Sequence, residues 1–247
     1  MDKICFFSAG HTAALTCAVS ALRLAGCTFT DRPENATHLL LGVPAFDDDG
    51  TIRGGGPLQS ILSQLPKNVT VVGGKLNHPA LSGYGKLDLL EDPFYTAENA
   101  HITACCALQL AMDRLPVVLT GLPVLVIGWG RIGKCLASLL QKLGANVTVA
   151  ARKESDRAMA NALGCGCADT ANLDTAAYRL IFNTAPVMLL PQCPGNALKI
   201  DLASQLGLGG LDVVWARGLP GRYAPESAGE LIARTVIRLV KNKEDPL

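Results

Sequence analysis

The sequence has no excess of charge of either sign. Its 22 Lys plus Arg stand against 21 Asp plus Glu, a net charge of +1, which offers no broad basic footprint for nucleic acid or anionic lipid. A small ligand is therefore expected, with neither nucleic acid nor membrane as partner. Long hydrophobic runs are also missing: residues 39–46 and 117–129 are broken by Gly or Pro before the roughly 18 residues a membrane span needs. The opening Met1-Asp2-Lys3-Ile4-Cys5-Phe6-Phe7 has one basic residue and runs straight into a strand pattern, unlike a secretory signal, so a cytoplasmic location is expected. The nine cysteines form no C-x-x-C and the four histidines no H-x-x-x-H. The spacing of a zinc site is thus absent, and an odd cysteine count in apolar settings reads as free thiols. Asp47-Asp48-Asp49-Gly50 lacks the downstream glutamate of a calcium loop and reads as a solvated turn; no metal is expected.

What is present is the material of a compact α/β protein: 247 residues, 49% hydrophobic and 17% charged, enough to bury a proper core. Apolar runs at residues 4–8, 38–43 and 69–72 read as strands, and residues 12–25 and 57–65 as helices. A long Ala- and Leu-rich helix is expected over residues 96–113, ahead of Pro116. A second α/β series follows, with strands at 123–127, 146–150, 180–183, 197–202 and 211–215 and helices at 131–143 and 156–163. An amphipathic helix over residues 226–241 closes it. The pattern predicts two Rossmann-like lobes with parallel sheets: an N-terminal α/β substrate lobe, residues 1–98, and a doubly wound dinucleotide-binding domain, residues 99–247. The last helix is free to return to the first lobe.

The fingerprint Gly128-Trp129-Gly130-Arg131-Ile132-Gly133 sits directly after the apolar run Val124-Leu125-Val126-Ile127 and directly before a helix. Gly128 permits a tight turn, Gly130 lets backbone N–H groups approach a pyrophosphate, and Gly133 allows close helix packing. Arg131 and Ile132 complete the loop. The second strand ends at Ala151-Arg152-Lys153, where an NAD enzyme usually carries an acid for the ribose hydroxyls. Arg152 and Lys153 suit a 2′-phosphate instead, favouring NADPH over NADH. The alternative at this point is that Arg152 stacks on adenine and Lys153 is solvated.

Here the chain resembles the A-subunit family of dipicolinate synthase, an enzyme of bacterial spore formation. The matching stretches include Leu39-Leu40-Leu41-Gly42-Val43-Pro44, Glu91-Asp92, Thr103, the Gly128 fingerprint, Gly144-Ala145-Asn146-Val147 and Ala151-Arg152. Further on stand Ile181-Phe182-Asn183-Thr184-Ala185-Pro186, Ile200-Asp201-Leu202-Ala203-Ser204, Gly218-Leu219-Pro220-Gly221, Ala224-Pro225 and Ser227-Ala228-Gly229. The resemblance implies a two-domain NADP-linked oxidoreductase that, together with a flavoprotein-like B subunit, oxidises a dihydrodipicolinate-level precursor, a small dicarboxylate. A homo-oligomer is expected. The chain departs from the family at Cys105, Gln205 and Glu226, each of which removes or inverts a charge.

Ligands of doubly wound sheets sit at the carboxyl ends of the strands, which singles out the residues that follow each one. Asn183, Thr184, Ala185 and Pro186 are expected to border the nicotinamide, with Asn183 also a catalytic candidate and Ser204 also on the cofactor; capping of a local turn by Asn183 and Thr184 is the other reading. Asp201 is a candidate for the substrate amine or a water, or for capping backbone N–H groups. The four histidines all precede the fingerprint, so the proton donor usual in 2-hydroxy-acid dehydrogenases is missing there. His11, after the first strand, is the catalytic candidate among them, against a plain surface role. Asn77 matches the family. Arg217 and Arg222 flank the Gly218-Leu219-Pro220-Gly221 segment and suit substrate carboxylates. Two other functions stand beside the synthase reading: a non-catalytic nucleotide-binding regulatory or scaffold subunit, and a 2-hydroxy-acid-type dehydrogenase.

Overall fold

A computed structural model describes residues 4–192, 196–210 and 212–244. In chain order its strands are β1 (Cys5–Ser8), β2 (Thr28–Phe29), β3 (His38–Leu40), β4 (Thr70–Gly73), β5 (Gly85–Asp88), β6 (Pro123–Ile127), β7 (Asn146–Ala150), β8 (Gly166–Ala168), β9 (Leu180–Asn183), β10 (Leu198–Asp201) and β11 (Val213–Trp215). The helices are α1 (Ala13–Leu24), α2 (Leu58–Leu62), α3 (Pro93–Met112), α4 (Arg131–Lys142), α5 (Glu154–Ala162), α6 (Leu219–Tyr223) and α7 (Pro225–Glu244). The chain forms two compact units. One combines Met1–Asn99 with Pro220–Leu247, and the other is Ala100–Leu219.

The first unit carries a five-stranded sheet in the order β2-β1-β3-β4-β5, every pair parallel. Helix α1 starts where the Leu15 N–H donates to Thr12 Oγ1 at 3.2 Å and ends ahead of Gly26, whose φ of +86° only glycine adopts cheaply. Its Ala14, Leu15, Ala18 and Leu22 are buried. Helix α7 packs along α1, and Gly229 sets the approach: a Cβ there would lie 2.5 Å from Cys17 Cβ and 2.7 Å from the Ala18 nitrogen. Asp92 and Arg238 tie α7 to the start of α3 through a contact of 2.6 Å. The same Asp92, only 8% exposed, accepts from the Tyr95 N–H at 2.7 Å. This cap explains why α3 starts at Pro93 and not at Thr96, since proline is at home in a first helical turn.

The second unit is a six-stranded parallel sheet in the order β11-β10-β9-β6-β7-β8. Counted from β6, this is the 3-2-1-4-5-6 order of doubly wound dinucleotide-binding sheets. Its central strands are buried on both faces, with Val124, Leu125, Val126, Ile127, Leu180, Ile181 and Phe182 all at 0% exposure. This explains why they read as unbroken apolar runs and not as alternation. The edge strand β8, Gly166-Cys167-Ala168, is mostly exposed and has no such run, so its residues carry no strand signal; β2 and β5 escaped for the same reason. Of the expected strand 211–215, Leu211 lies outside the described residues and β11 starts at Val213. The α/β expectation with two parallel-sheet lobes holds. Among the described residues, no helix is long and apolar enough to cross a membrane.

Candidate functional site

The second sheet reverses its winding between β6 and β9, and the carboxyl ends of those two strands are joined by short contacts. The Thr184 N–H and Oγ1 both donate to Ile127 O, at 2.8 and 2.9 Å, while the Gly128 N–H donates to Ala150 O at 2.9 Å. Gly128 has φ of +101°, and a Cβ on it would stand 2.4 Å from Thr184 Oγ1. Gly133 lies against the same turn, its Cβ position 2.1 Å from Gly128 O. These two glycines are therefore structural requirements of the strand–turn–helix join. Gly130 differs, because a Cβ there meets nothing within 4 Å: the space in front of it is free for a ligand.

Gly130 is also the N-cap of α4, which has no side-chain cap and no acid in its first turn. The leading N–H groups of that helix thus keep their positive end for an anion. Arg131 is exposed and Ile132 half-buried beside it. Trp129 is 8% exposed, and among the described residues its indole Nε1 is buried with no hydrogen-bond partner, an orphan donor of a kind rare in native structures. The Lys134 ammonium lies 5.9 Å from the Trp129 ring centroid. Open space and unclaimed helix N–H groups together fit the pyrophosphate of a dinucleotide.

A cavity of about 310 Å³ opens beside this loop, within the range of small-molecule sites. Gly128, Trp129, Ala150, Ala151, Arg152 and Lys153 line it from the β6 and β7 ends, and Ala185, Pro186, Val187 and Leu189 from the segment after β9. Arg152 and Lys153 are exposed. The turn that carries Arg152 is fixed by Arg157, whose Nη1 donates to Ala151 O at 2.8 Å and Arg152 O at 2.9 Å and pairs with Asp169 at 2.8 Å. Two features here escaped sequence reasoning. Arg157 has no motif to announce it. Asp156 also lines the cavity, from the first turn of α5, which starts at Glu154, two residues earlier than expected.

Asn183 and Asp201 are fully buried and bonded to each other, Asn183 Nδ2 donating to Asp201 Oδ2 at 2.9 Å. Asp201 further accepts from the N–H groups of Ala203 (3.0 Å), Gly207 (2.8 Å) and Leu208 (3.0 Å). Asn183 closes its own turn, with Oδ1 accepting from the Ala185 N–H and Nδ2 donating to Ala185 O, both at 3.1 Å. Neither side chain presents surface to a ligand, and each shapes the loop that follows its strand. Ser204 is exposed and is not among the cavity-lining residues.

Arg217 is exposed at the end of β11, its guanidinium 5.2 Å from the Trp215 ring centroid. Gly218, with φ of +66°, leads into α6, so Leu219, Pro220 and Gly221 are helical and not an open loop; Leu219 is buried, and Arg222 lies 5.9 Å from the Tyr223 ring. In the first unit, His11 is exposed after β1, its N–H donating to Arg53 O at 3.2 Å. Asn77 is exposed beyond β4, close to Lys75, whose φ of +62° is the single positive value among the described non-glycine residues. Asp88 holds that turn, accepting from the N–H groups of Lys75 and Leu76 at 3.0 and 2.7 Å. Of the departures, Cys105 is exposed on α3 with its sulfur 3.7 Å from His101 Nε2, and Gln205 and Glu226 are exposed.

No protein-family model matches the chain. Over 148 residues it is 31% identical to the A subunit of dipicolinate synthase from Bacillus subtilis (strain 168), covering 54% of this chain and 50% of that protein. The chain is similar to that A subunit. The aligned stretch spans half the length of that relative. In fold, the crystal structure of the dipicolinate synthase A subunit from Bacillus halodurans matches with a TM-score of 0.83 at 20% identity, over 96% of this chain and 98% of that one. A transhydrogenase from Sinorhizobium meliloti shares the fold at a TM-score of 0.68 and 14% identity, over 97% of this chain and 94% of its own. The resemblance read from the motifs thus has a counterpart in sequence identity, and the fold is shared with those two solved structures.

Proposed function

We propose that the chain is an NADP-dependent oxidoreductase of the dipicolinate synthase A-subunit type, converting a dihydrodipicolinate-level dicarboxylate to dipicolinate. The observation that carries the reading is the Gly128–Gly130–Gly133 turn at the switch point of the second sheet, with free space only at Gly130 and a cavity running on to Arg152 and Lys153. No hydrogen bond or ion pair engages the side chain of Arg152 or Lys153 among the described residues, which leaves two cations for a 2′-phosphate. The nucleotide, when bound, supplies the hydride acceptor. A dihydropyridine that loses a hydride aromatises by releasing a proton to solvent, so this substrate class needs no histidine beside the fingerprint. Asn77, Arg217 and Arg222 are the proposed partners of the dicarboxylate, His11 a further candidate, and a flavoprotein-like subunit the proposed partner chain.

A second reading is a nucleotide-binding subunit without catalysis of its own. It is supported by the complete burial of Asn183 and Asp201, which removes these two polar side chains, at the carboxyl ends of β9 and β10, from contact with a substrate. The two readings separate on one experiment. The purified chain is titrated with NADPH and NADH by calorimetry, then assayed for NADP-linked turnover of a dihydrodipicolinate preparation with and without candidate partner subunits. Tight NADPH binding with turnover supports the enzyme, binding without turnover under either condition supports the second reading, and no nucleotide binding overturns both.

A further inference from the structure

Asp156 has no task in the reading above, yet it lines the nucleotide cavity together with Arg152, Lys153 and Thr170. It is half-buried in the first turn of α5, and among the described residues its carboxylate has no hydrogen-bond or ion-pair partner. The next two aspartates along the chain behave otherwise: Asp169 is paired with Arg157 at 2.8 Å and Asp174 accepts from the Ala176 N–H at 2.9 Å. A lone ionised carboxylate facing a cavity calls for a hydrogen-bond donor, since it can only accept.

Three parts of an adenine dinucleotide reach this side of the sheet. A 2′-phosphate is an anion and is repelled. The ribose belongs at the end of β7, where Ala151, Arg152 and Lys153 stand. Asp156 lies beyond that point, on the helix that leads to the edge strand β8, and Thr170 just after β8 is its companion in the lining. What remains is the base. Adenine carries a single strong donor, its 6-amino group, and the apolar Val187 and Leu189 of the same cavity suit its flat ring. We infer that Asp156 accepts a hydrogen bond from the 6-amino group and makes the site selective for adenine over hypoxanthine nucleotides. The inference rests on the nucleotide-binding reading and deepens it. In hypoxanthine a carbonyl oxygen replaces the amine, and two acceptors would then face each other without a proton between them.

The test is calorimetric titration of the whole chain with NADPH, with its hypoxanthine counterpart and with NADH, on the unaltered protein and on Asp156→Asn and Asp156→Ala, with thermal melting to verify that each variant is folded. The unaltered chain is expected to bind the hypoxanthine nucleotide about ten- to a hundredfold more weakly than NADPH, the effect of one charge-assisted hydrogen bond. In Asp156→Asn, whose amide can face either base, the ratio should fall to about twofold or less. Equal binding of both bases by the unaltered chain overturns the inference and leaves the nucleotide reading standing. So does discrimination that survives in both variants, or a change confined to the NADPH to NADH ratio, which would place the carboxylate at the ribose. If no dinucleotide binds the unaltered chain, the nucleotide reading itself fails.

Discussion

Replacing Asp201 distinguishes a carboxylate that builds the site from one that reacts in it. Its oxygens accept from three main-chain N–H groups, those of Ala203, Gly207 and Leu208, and from Asn183 Nδ2, at 2.8 to 3.0 Å, with no exposed surface. Asp201→Ala strands all four donors in the interior. Each buried orphan costs about 1–3 kcal/mol, and with partial relaxation we expect a total of about 3–5 kcal/mol, at the upper end for single substitutions. Asp201→Asn retains one acceptor oxygen but turns an N–H2 toward the remaining donors, and should cost about 2–3 kcal/mol. Equilibrium urea unfolding followed by tryptophan fluorescence suits the measurement. Both tryptophans, Trp129 and Trp215, lie in the unit Ala100–Leu219, and Trp215 Nε1 donates to Ala203 O at 3.1 Å, two residues from the substitution. An Asp201→Asn protein within about 0.5 kcal/mol of the original that nonetheless loses turnover would refute this reasoning and make the carboxylate a participant in the reaction.

Other outcomes follow from separate parts of the molecule. Gly130→Val should abolish dinucleotide binding with little change in circular dichroism or melting temperature, because the added carbons enter free space; unchanged affinity would make the loop a plain structural turn. Arg152→Asp should turn a preference for NADPH into one for NADH in paired titrations, and equal affinities in the unaltered protein would remove the basis for the 2′-phosphate assignment. Gly229→Val drives a side chain into Cys17 and Ala18 of α1, and overpacking of this kind should cost about 1–3 kcal/mol or more, read from denaturant unfolding. The Arg238 guanidinium and the Tyr95 N–H hold the Asp92 carboxyl below the usual aspartate range against the opposing effect of burial. A lowered folded pKa stabilises above the unfolded value of about 3.9 and is lost as pH falls through the folded one, so Arg238→Met should flatten the acid limb of the stability profile; an unchanged limb would show that the contact contributes nothing.

The parts of the fold that the sequence discloses are those where burial is two-sided or a cap is local. Strands β6, β7 and β9 match the expected strands at 123–127, 146–150 and 180–183 to the residue; β6 and β9 are buried along almost their whole length, and a strand covered on both faces must be largely apolar. The fingerprint was legible for a related reason: Gly128 and Gly133 are fixed by approaches of 2.4 and 2.1 Å that exclude any Cβ. Edge strands such as β8, with two exposed residues of three, leave no periodicity to read. Long-range polar bonds are equally silent. Nothing in the order of residues announces that Asn183 and Asp201, 18 positions apart, complete each other, or that Arg157 reaches back to the carbonyls of Ala151 and Arg152. Asp156 likewise carries no motif, and its place in the cavity lining comes from where α5 packs.

The first unit is assembled from two stretches of chain separated by the whole of the second, and this has a consequence for biosynthesis. The ribosome delivers α1 early and α7 late, with roughly 120 residues between the two stretches. At about 5–20 residues per second, the roughly 200 residues from Leu24 to Pro225 leave the unpaired face of α1, with Leu15 and Leu22, open on the nascent chain for about 10–40 s before its helical mate emerges. The inserted unit, continuous in sequence, can complete its sheet during that interval. Chains that stall or are cleaved after Leu219 would then hold one finished lobe and one permanently open one, a natural substrate for chaperones and quality-control proteases.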